Sequence, residues 1–144
     1  LGGKRLIDID KNAFFEKAKE LSSKVSDRAI LRAYHFYEEN DRVDKASDSL
    51  SNNDYDAFLT CVKDSGISSM CKLQNCFVVG SDCQVIPKYL SVASVYLNGG
   101  VNRVHGGGFA GTVQAFVPHA MLDHFREAME AALGEGSCHV LNIR

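Results

Sequence analysis

The sequence predicts an α+β domain in which helices pack on an antiparallel sheet, and three observations carry that expectation. Apolar residues recur at helical spacing from Lys11 to Ala93. A glycine-dense turn, Val104-His105-Gly106-Gly107-Gly108-Phe109-Ala110-Gly111-Thr112, separates two stretches of strand composition. After the helices, the order becomes strand, strand, helix, strand. A chain of 144 residues with 45% apolar and 24% charged side chains matches one globular domain, long enough to bury a core.

In chain order, Lys4 to Asp10 reads as an edge strand or the end of an interdomain link. Phe14, Ala18, Leu21 and Val25 then mark the buried stripe of a first helix from Lys11 to Lys24. Ser26 is a candidate N-cap, with Asp27 favourable at the positive end of the helix dipole. A long second helix follows, with Ala29, Ala33, Phe36, Asn40, Val43 and Leu50 on one face and Ser51-Asn52-Asn53 at its end. Asn40 on that stripe calls for a buried hydrogen-bond partner or a position facing a cleft. Glu38 and Glu39 stand four and three residues before Arg42, pairs that contribute only about 0.3 to 0.5 kcal/mol on a solvated face.

Asn53 or Asp54 caps a third helix carrying Tyr55, Phe58, Leu59 and Val62, which stops at Ser65-Gly66. Ser65, Ser68 and Ser69 fall in a polar loop, where hydroxyls bond local backbone or a ligand. Leu73 to Val79 is mixed. Gly80-Ser81-Asp82 caps a fourth helix with Val85, Ile86, Tyr89, Leu90 and Ala93 as its core, ended by Gly99-Gly100. Val101 to His105 and Thr112 to Val117 form two strands; Val113, Ala115 and Val117 alternate with Thr112, Gln114 and Phe116, as in a strand with one buried face. Pro118 opens a fifth helix with Leu122, Phe125, Met129 and Leu133 on its buried side and the Met121 and Met129 pair in the core. Gly134 and Gly136 stop it, and Cys138 to Ile143 reads as a last strand.

Charge and cysteine content narrow the function classes. The formal charge is −2, without a lysine or arginine cluster, so no electrostatic footprint for nucleic acid or an anionic membrane is present. No apolar run approaches the roughly 18 residues needed to span a bilayer. Cys61, Cys71, Cys76, Cys83 and Cys138 form no C-x-x-C pair and are odd in number. Reduced thiols in a cytoplasmic protein are expected, with no metal site. His119, His124 and His139 lack ligand spacing and read as surface residues. The chain opens on Leu1 and closes on Arg144, as expected of a piece of a longer protein.

The glycine turn is the candidate functional element. Residues without Cβ permit φ > 0 and let another group approach the backbone N–H groups closely. Successive N–H groups facing one concavity would make a phosphate-binding nest; the other reading is a hairpin connection whose glycines serve turn geometry.

Arg103-Val104-His105-Gly106-Gly107-Gly108-Phe109-Ala110-Gly111-Thr112 resembles the third motif of the GHMP small-molecule kinases, most closely the galactokinase form R/K-M-T-G-G-G-F-G-G-C. Upstream, Ala33-Tyr34-His35-Phe36-Tyr37-Glu38-Glu39-Asn40-Asp41-Arg42-Val43 is similar to the galactokinase helix A-R-H-V-V-x-E-N-x-R-V. Between them, Asp64-Ser65-Gly66-Ile67-Ser68-Ser69 resembles that family's E-S-H/G-x-S-(S/L) segment. The His-Gly-Gly-Gly-Phe-Ala-Gly wording is similar to a Gram-positive bacterial, galactokinase-like branch.

The resemblance implies the C-terminal domain of a GHMP kinase over residues 1–144, with a ferredoxin-like antiparallel sheet and packed helices. It implies a parent enzyme that transfers phosphate from ATP, with Mg²⁺, to the anomeric hydroxyl of galactose in a cleft between two domains. His105, Gly106, Gly107, Gly108, Phe109 and Gly111 would line that cleft beside substrate and phosphate, with Ser68, Ser69 and Asn40 as further cleft positions. The R-V-N-L-I-G-E-H-x-D and P-x-G-x-G-L-S-S-S motifs and the catalytic aspartate belong to the other half and do not occur in this sequence. The fragment alone is therefore expected to be inactive, to carry no catalytic residue, and to bind no cofactor by itself. Its expected partners are the N-terminal domain of the same protein, a small sugar, and a second copy docked through the exposed interdomain face.

Three departures stand out. His105 replaces the usual threonine, Ala110 a glycine and Thr112 a cysteine. A histidine beside phosphate could add a charge or a hydrogen bond, or close the pocket to galactose. The competing readings are a non-catalytic sugar-binding regulator, a relative with another small-molecule substrate, and a free-standing ligand-binding module.

Overall fold

The computed structural model of the chain describes residues 2–109 and 111–142. Its packing divides the chain into two compact units, one up to Gln74 and one from Asn75 onward. The fold is α-rich with one small antiparallel sheet, compatible with the α+β class.

The first unit opens on a 3-10 turn, Leu6–Asp8, where the sequence suggested a strand or link. The cause is local: Asp8 accepts hydrogen bonds from the Arg5 backbone N–H at 3.1 Å and from Arg5 Nη2 at 2.8 Å, closing the turn on itself. Helix α1 covers Lys11–Leu21, capped by Asp10 through the Ala13 N–H at 2.9 Å. Helix α2 covers Asp27–Ser51 and is capped by Ser26 as expected. Helix α3 covers Tyr55–Ser68, capped by Asp54, and runs into a π-helical turn, Ser69–Leu73.

The core of this unit is Phe14, Ala18, Ile30, Ala33 and Tyr37. Phe14 meets Phe15, Tyr34 and Tyr37 with ring centroids 5.2 to 5.6 Å apart, partly in edge-to-face geometry. The buried stripe of α2 is thus Ile30, Ala33, Tyr37 rather than the one read from Ala29 to Leu50. Val25, Val43 and Leu50 are exposed, and so are Ala29 and Asn40. Three aromatic residues at Tyr34, Phe36 and Tyr37 make several stripes equally apolar. Short α1, with the turn before it, selects the one that faces it.

Tyr37 ties these pieces together, its hydroxyl lying 3.0 Å from Leu6 O and 3.1 Å from Ile9 O. Burial, and then Asp10, push its phenol above the ordinary range. The protonated form is favoured in the fold. This stabilisation is complete below the unfolded tyrosine pKa of about 10 and is lost as pH rises through the raised folded value. Tyr37→Phe should lower stability by about 1 to 2 kcal/mol at pH 7 and flatten the alkaline loss. Denaturant titrations at pH 7 and pH 11 check both effects.

The third helix departs from expectation at its end. It does not stop at Ser65-Gly66; Ser65, Ser68 and Ser69 are helical and buried, not in a polar loop. The Ser65 and Ser68 hydroxyls are paired across to Glu39 and His35 of α2, which favours continuing the helix over a local turn.

In the second unit, helix α4 covers Val85–Tyr96 and buries Ile86, Leu90 and Ala93. Its start is not capped by the Gly80-Ser81-Asp82 hydroxyl or carboxylate. Gln84 occupies the N-cap position and folds its side chain back on the preceding loop, donating to Val78 O at 2.8 Å and Ser81 O at 2.6 Å and accepting from the Val78 N–H at 3.0 Å. Strands β1, Val101–Val104, and β2, Val113–Phe116, pair antiparallel, with Val101 opposite Phe116 and Val104 opposite Val113. Gly100 makes the approach possible: a Cβ there would lie well under 3.0 Å from Phe116 O. A 3-10 turn, His119–Met121, leads into α5, Leu122–Leu133.

Ala93, Phe125 and Met129 form one core cluster of this unit, with Ala115, Val117, Leu133 and Cys138 packed against it. Cys138 touches the core, and burial raises its thiol pKa, with Glu130 as the second cause. The expected last strand is not formed over residues 138–142, and Ile143 lies outside the described residues. Beyond Cys138, Val140 and Leu141 point to solvent with no ladder to join, so their β propensity has nothing to pair with. Among the described residues no helix is long and apolar enough to cross a membrane, and all five cysteines are free.

Candidate functional site

The glycine turn is framed by the sheet. Val104, almost fully buried, fixes its entry, and the His105 N–H donates to Thr112 O at 2.8 Å, extending the pairing one step past β1. The chain then takes left-handed φ at Gly106 (61°), Gly108 (78°) and Phe109 (60°). Phe109, a bulky residue in a region that favours glycine, is held by its N–H donating to Asn75 O at 2.6 Å. The Gly111 N–H donates to Gly108 O at 3.1 Å. Ala110 lies outside the described residues.

These bonds divide the turn. The Phe109 and Gly111 N–H groups are spent inside the protein and are not donors to an anion. A Cβ on Gly108 would fall well under 3.0 Å from Asn75 O, whereas Cβ positions on Gly106 and Gly107 meet no atom within 4 Å. The first two glycines therefore present bare backbone to open space. His105 is exposed beside them.

The remaining expected site residues lie in the first unit. Ser68 and Ser69 are buried, with Ser68 Oγ 2.9 Å from His35 Nδ1. Asn40 is exposed and donates through Nδ2 to Phe36 O of its own helix at 3.0 Å, so it lies off the buried stripe and has a local, exposed partner instead of a buried one. Glu38, Glu39 and Arg42 are not a purely solvated face. Glu39 pairs with Arg42 and accepts from Ser65 Oγ at 2.6 Å, while Glu38 pairs with Lys72 and lies 3.9 Å from Arg42. This half-buried network ties α2 to α3 and the π-helical turn. It rims an open depression of about 200 Å³ with Asp64, Ile67, Ser68 and Cys71.

No protein-family model matches the chain. The galactokinase of Haemophilus influenzae strain Rd is 32% identical over 127 residues, covering 88% of this chain and 31% of that protein. The galactokinase of Actinobacillus pleuropneumoniae is 31% identical over 136 residues, covering 87% of this chain and 31% of its own length. The chain is similar to galactokinases. It spans about a third of the length of the curated relatives it matches, and the match is consistent with a galactokinase C-terminal domain.

Two participants in this galactokinase-like segment carry no sequence signature. Asn75 lies in the mixed stretch Leu73 to Val79, and the special geometry there, with Gln74 just before it at φ 58°, is visible only in the structure. Lys72 gave no signal, because its partner Glu38 is 34 residues away.

Proposed function

We propose that this chain is the C-terminal domain of a cytoplasmic, ATP-dependent sugar kinase of the galactokinase type, with the fold of the GHMP kinases. The observation that carries the reading is similarity to galactokinases along most of the chain, together with a triple-glycine turn whose Gly106 and Gly107 offer unobstructed backbone. In this reading the two strands belong to a ferredoxin-like sheet, and the turn lines the cleft shared with the N-terminal domain.

ATP and Mg²⁺ supply the phosphoryl group and neutralise its charge. The residues of this chain suited to face that group are Gly106 and Gly107, where no side chain keeps a phosphate oxygen from the backbone, and His105 beside them. Their contribution is positioning: a rigid turn fixes where the acceptor hydroxyl and the phosphate meet and keeps bulk out of that space. Neither glycine can take a proton. In this reading the base is the aspartate of the other domain, so the chain by itself is expected to be silent. Any dimer formed through the surface that faces that domain would be a property of the isolated piece.

Reattaching the native N-terminal part tests the proposal. Galactose-dependent ADP release in a coupled assay is expected; no turnover on galactose or on a panel of other monosaccharides would end it. Silence with sugar binding retained would point to a non-catalytic sensor.

A further inference from the structure

We infer that Asn75 is a positioning residue for the glycine-rich turn, an anchor that holds Gly108 and Phe109 so that Gly106 and Gly107 face the substrate. The inference rests on the kinase reading for what the turn faces, and on geometry alone for the anchor. Asn75 is 3% exposed although it is polar, and it lies in an irregular stretch between the π-helical turn and α4. A buried backbone carbonyl needs a donor, and here the donor is the N–H of Phe109, at 2.6 Å. Phe109 has φ 60°, a conformation costly for an aromatic residue, and this bond is what the strained residue makes.

The second contact is steric. Gly108 packs so closely that a Cβ would come well under 3.0 Å from Asn75 O and within 2.8 Å of Asn75 Nδ2. Both the main chain and the side chain of Asn75 therefore abut one glycine of the three. Asn75 Oδ1 also lies 3.9 Å from the fully buried Cys76 Sγ. The three glycines thus have separate jobs. Gly108 is the one that must lack a side chain for the turn to dock, and Gly106 and Gly107 are the ones left open.

The test uses the complete protein and two readouts, hydrogen exchange of the Phe109 amide and steady-state kinetics with galactose and ATP. Gly108→Ala drives the turn off the Asn75 carbonyl and should speed exchange at Phe109 at least tenfold and lower kcat about tenfold, with a smaller change in KM. Asn75→Ala keeps that carbonyl and removes only the amide bordering Gly108, so its effects should be in the same direction and smaller. Should Gly108→Ala fail to fold, the unsubstituted protein carries the test: its Phe109 amide should exchange at least tenfold more slowly than the amide of Gly107. Unchanged exchange at Phe109 overturns the anchor. Faster exchange with unchanged kcat overturns its positioning role. An unsubstituted protein that turns over no sugar removes the kinase reading instead, and the exchange arm still decides the anchor.

Discussion

Valine at Gly107 in the complete protein is expected to lower kcat/KM for sugar phosphorylation by about 100-fold while leaving thermal unfolding within a degree or two. Gly107 does not use left-handed φ, and a Cβ there meets nothing within 4 Å. The fold therefore has no reason to reject the side chain, and surface substitutions without a packing or backbone penalty stay within roughly 0.5 kcal/mol. The open space is where the proposed substrate lies. A branched side chain there displaces the reacting groups, and a misplacement of about 1 Å can cost about 100-fold, or roughly 2.7 kcal/mol of transition-state stabilisation. Parallel kinetics and thermal melts check the pair of outcomes. Full activity would show that the bare edge of the turn does not face substrate; a large drop in melting temperature would show that Gly107 serves folding.

Phe14→Ala should destabilise the first unit by about 3 to 5 kcal/mol. Phe14 is 2% exposed and lies at the centre of a ring cluster with Phe15, Tyr34 and Tyr37, so the deletion removes apolar burial and three ring contacts together. The cluster closes α1 on α2, and the other fully buried residue of α1, Ala18, contributes only a methyl group, while Phe15 and Leu21 pack at its half-buried margin. The cavity could not refill cheaply, because Tyr37 is held by its hydroxyl bonds to Leu6 and Ile9. Denaturant unfolding followed by tyrosine fluorescence measures the loss. A shift below about 1 kcal/mol would mean that the cluster is not the core of this unit.

What the sequence revealed depended on how local each signal was. The Ser26 cap, the Asp54 cap, the glycine turn between two strands and the α5 stripe at Phe125 and Met129 are determined within a few residues, and all are found where expected. The face of α2 was not legible, because Tyr34, Phe36 and Tyr37 spread apolar surface round the helix and only the position of α1 breaks the tie. The end of α3 misled for a related reason. Serines beside a glycine signal a turn, but Ser65 and Ser68 bond Glu39 and His35 of another helix, which keeps their segment helical. Over residues 138–142 the last strand is not formed, because apolar, β-branched residues make a strand only when a ladder is within reach. At the site, the glycines announced themselves, while the atom that anchors them, Asn75 O, belongs to a backbone with no sequence signature.

The most direct measurement is the identity of the product made by the complete protein from galactose and ATP. Phosphorus NMR is expected to show one sugar phosphate whose phosphorus couples to the anomeric proton, formed in step with ADP. No sugar phosphate, or a phosphate carried on another hydroxyl, would contradict assignment of this chain to a galactokinase-type enzyme.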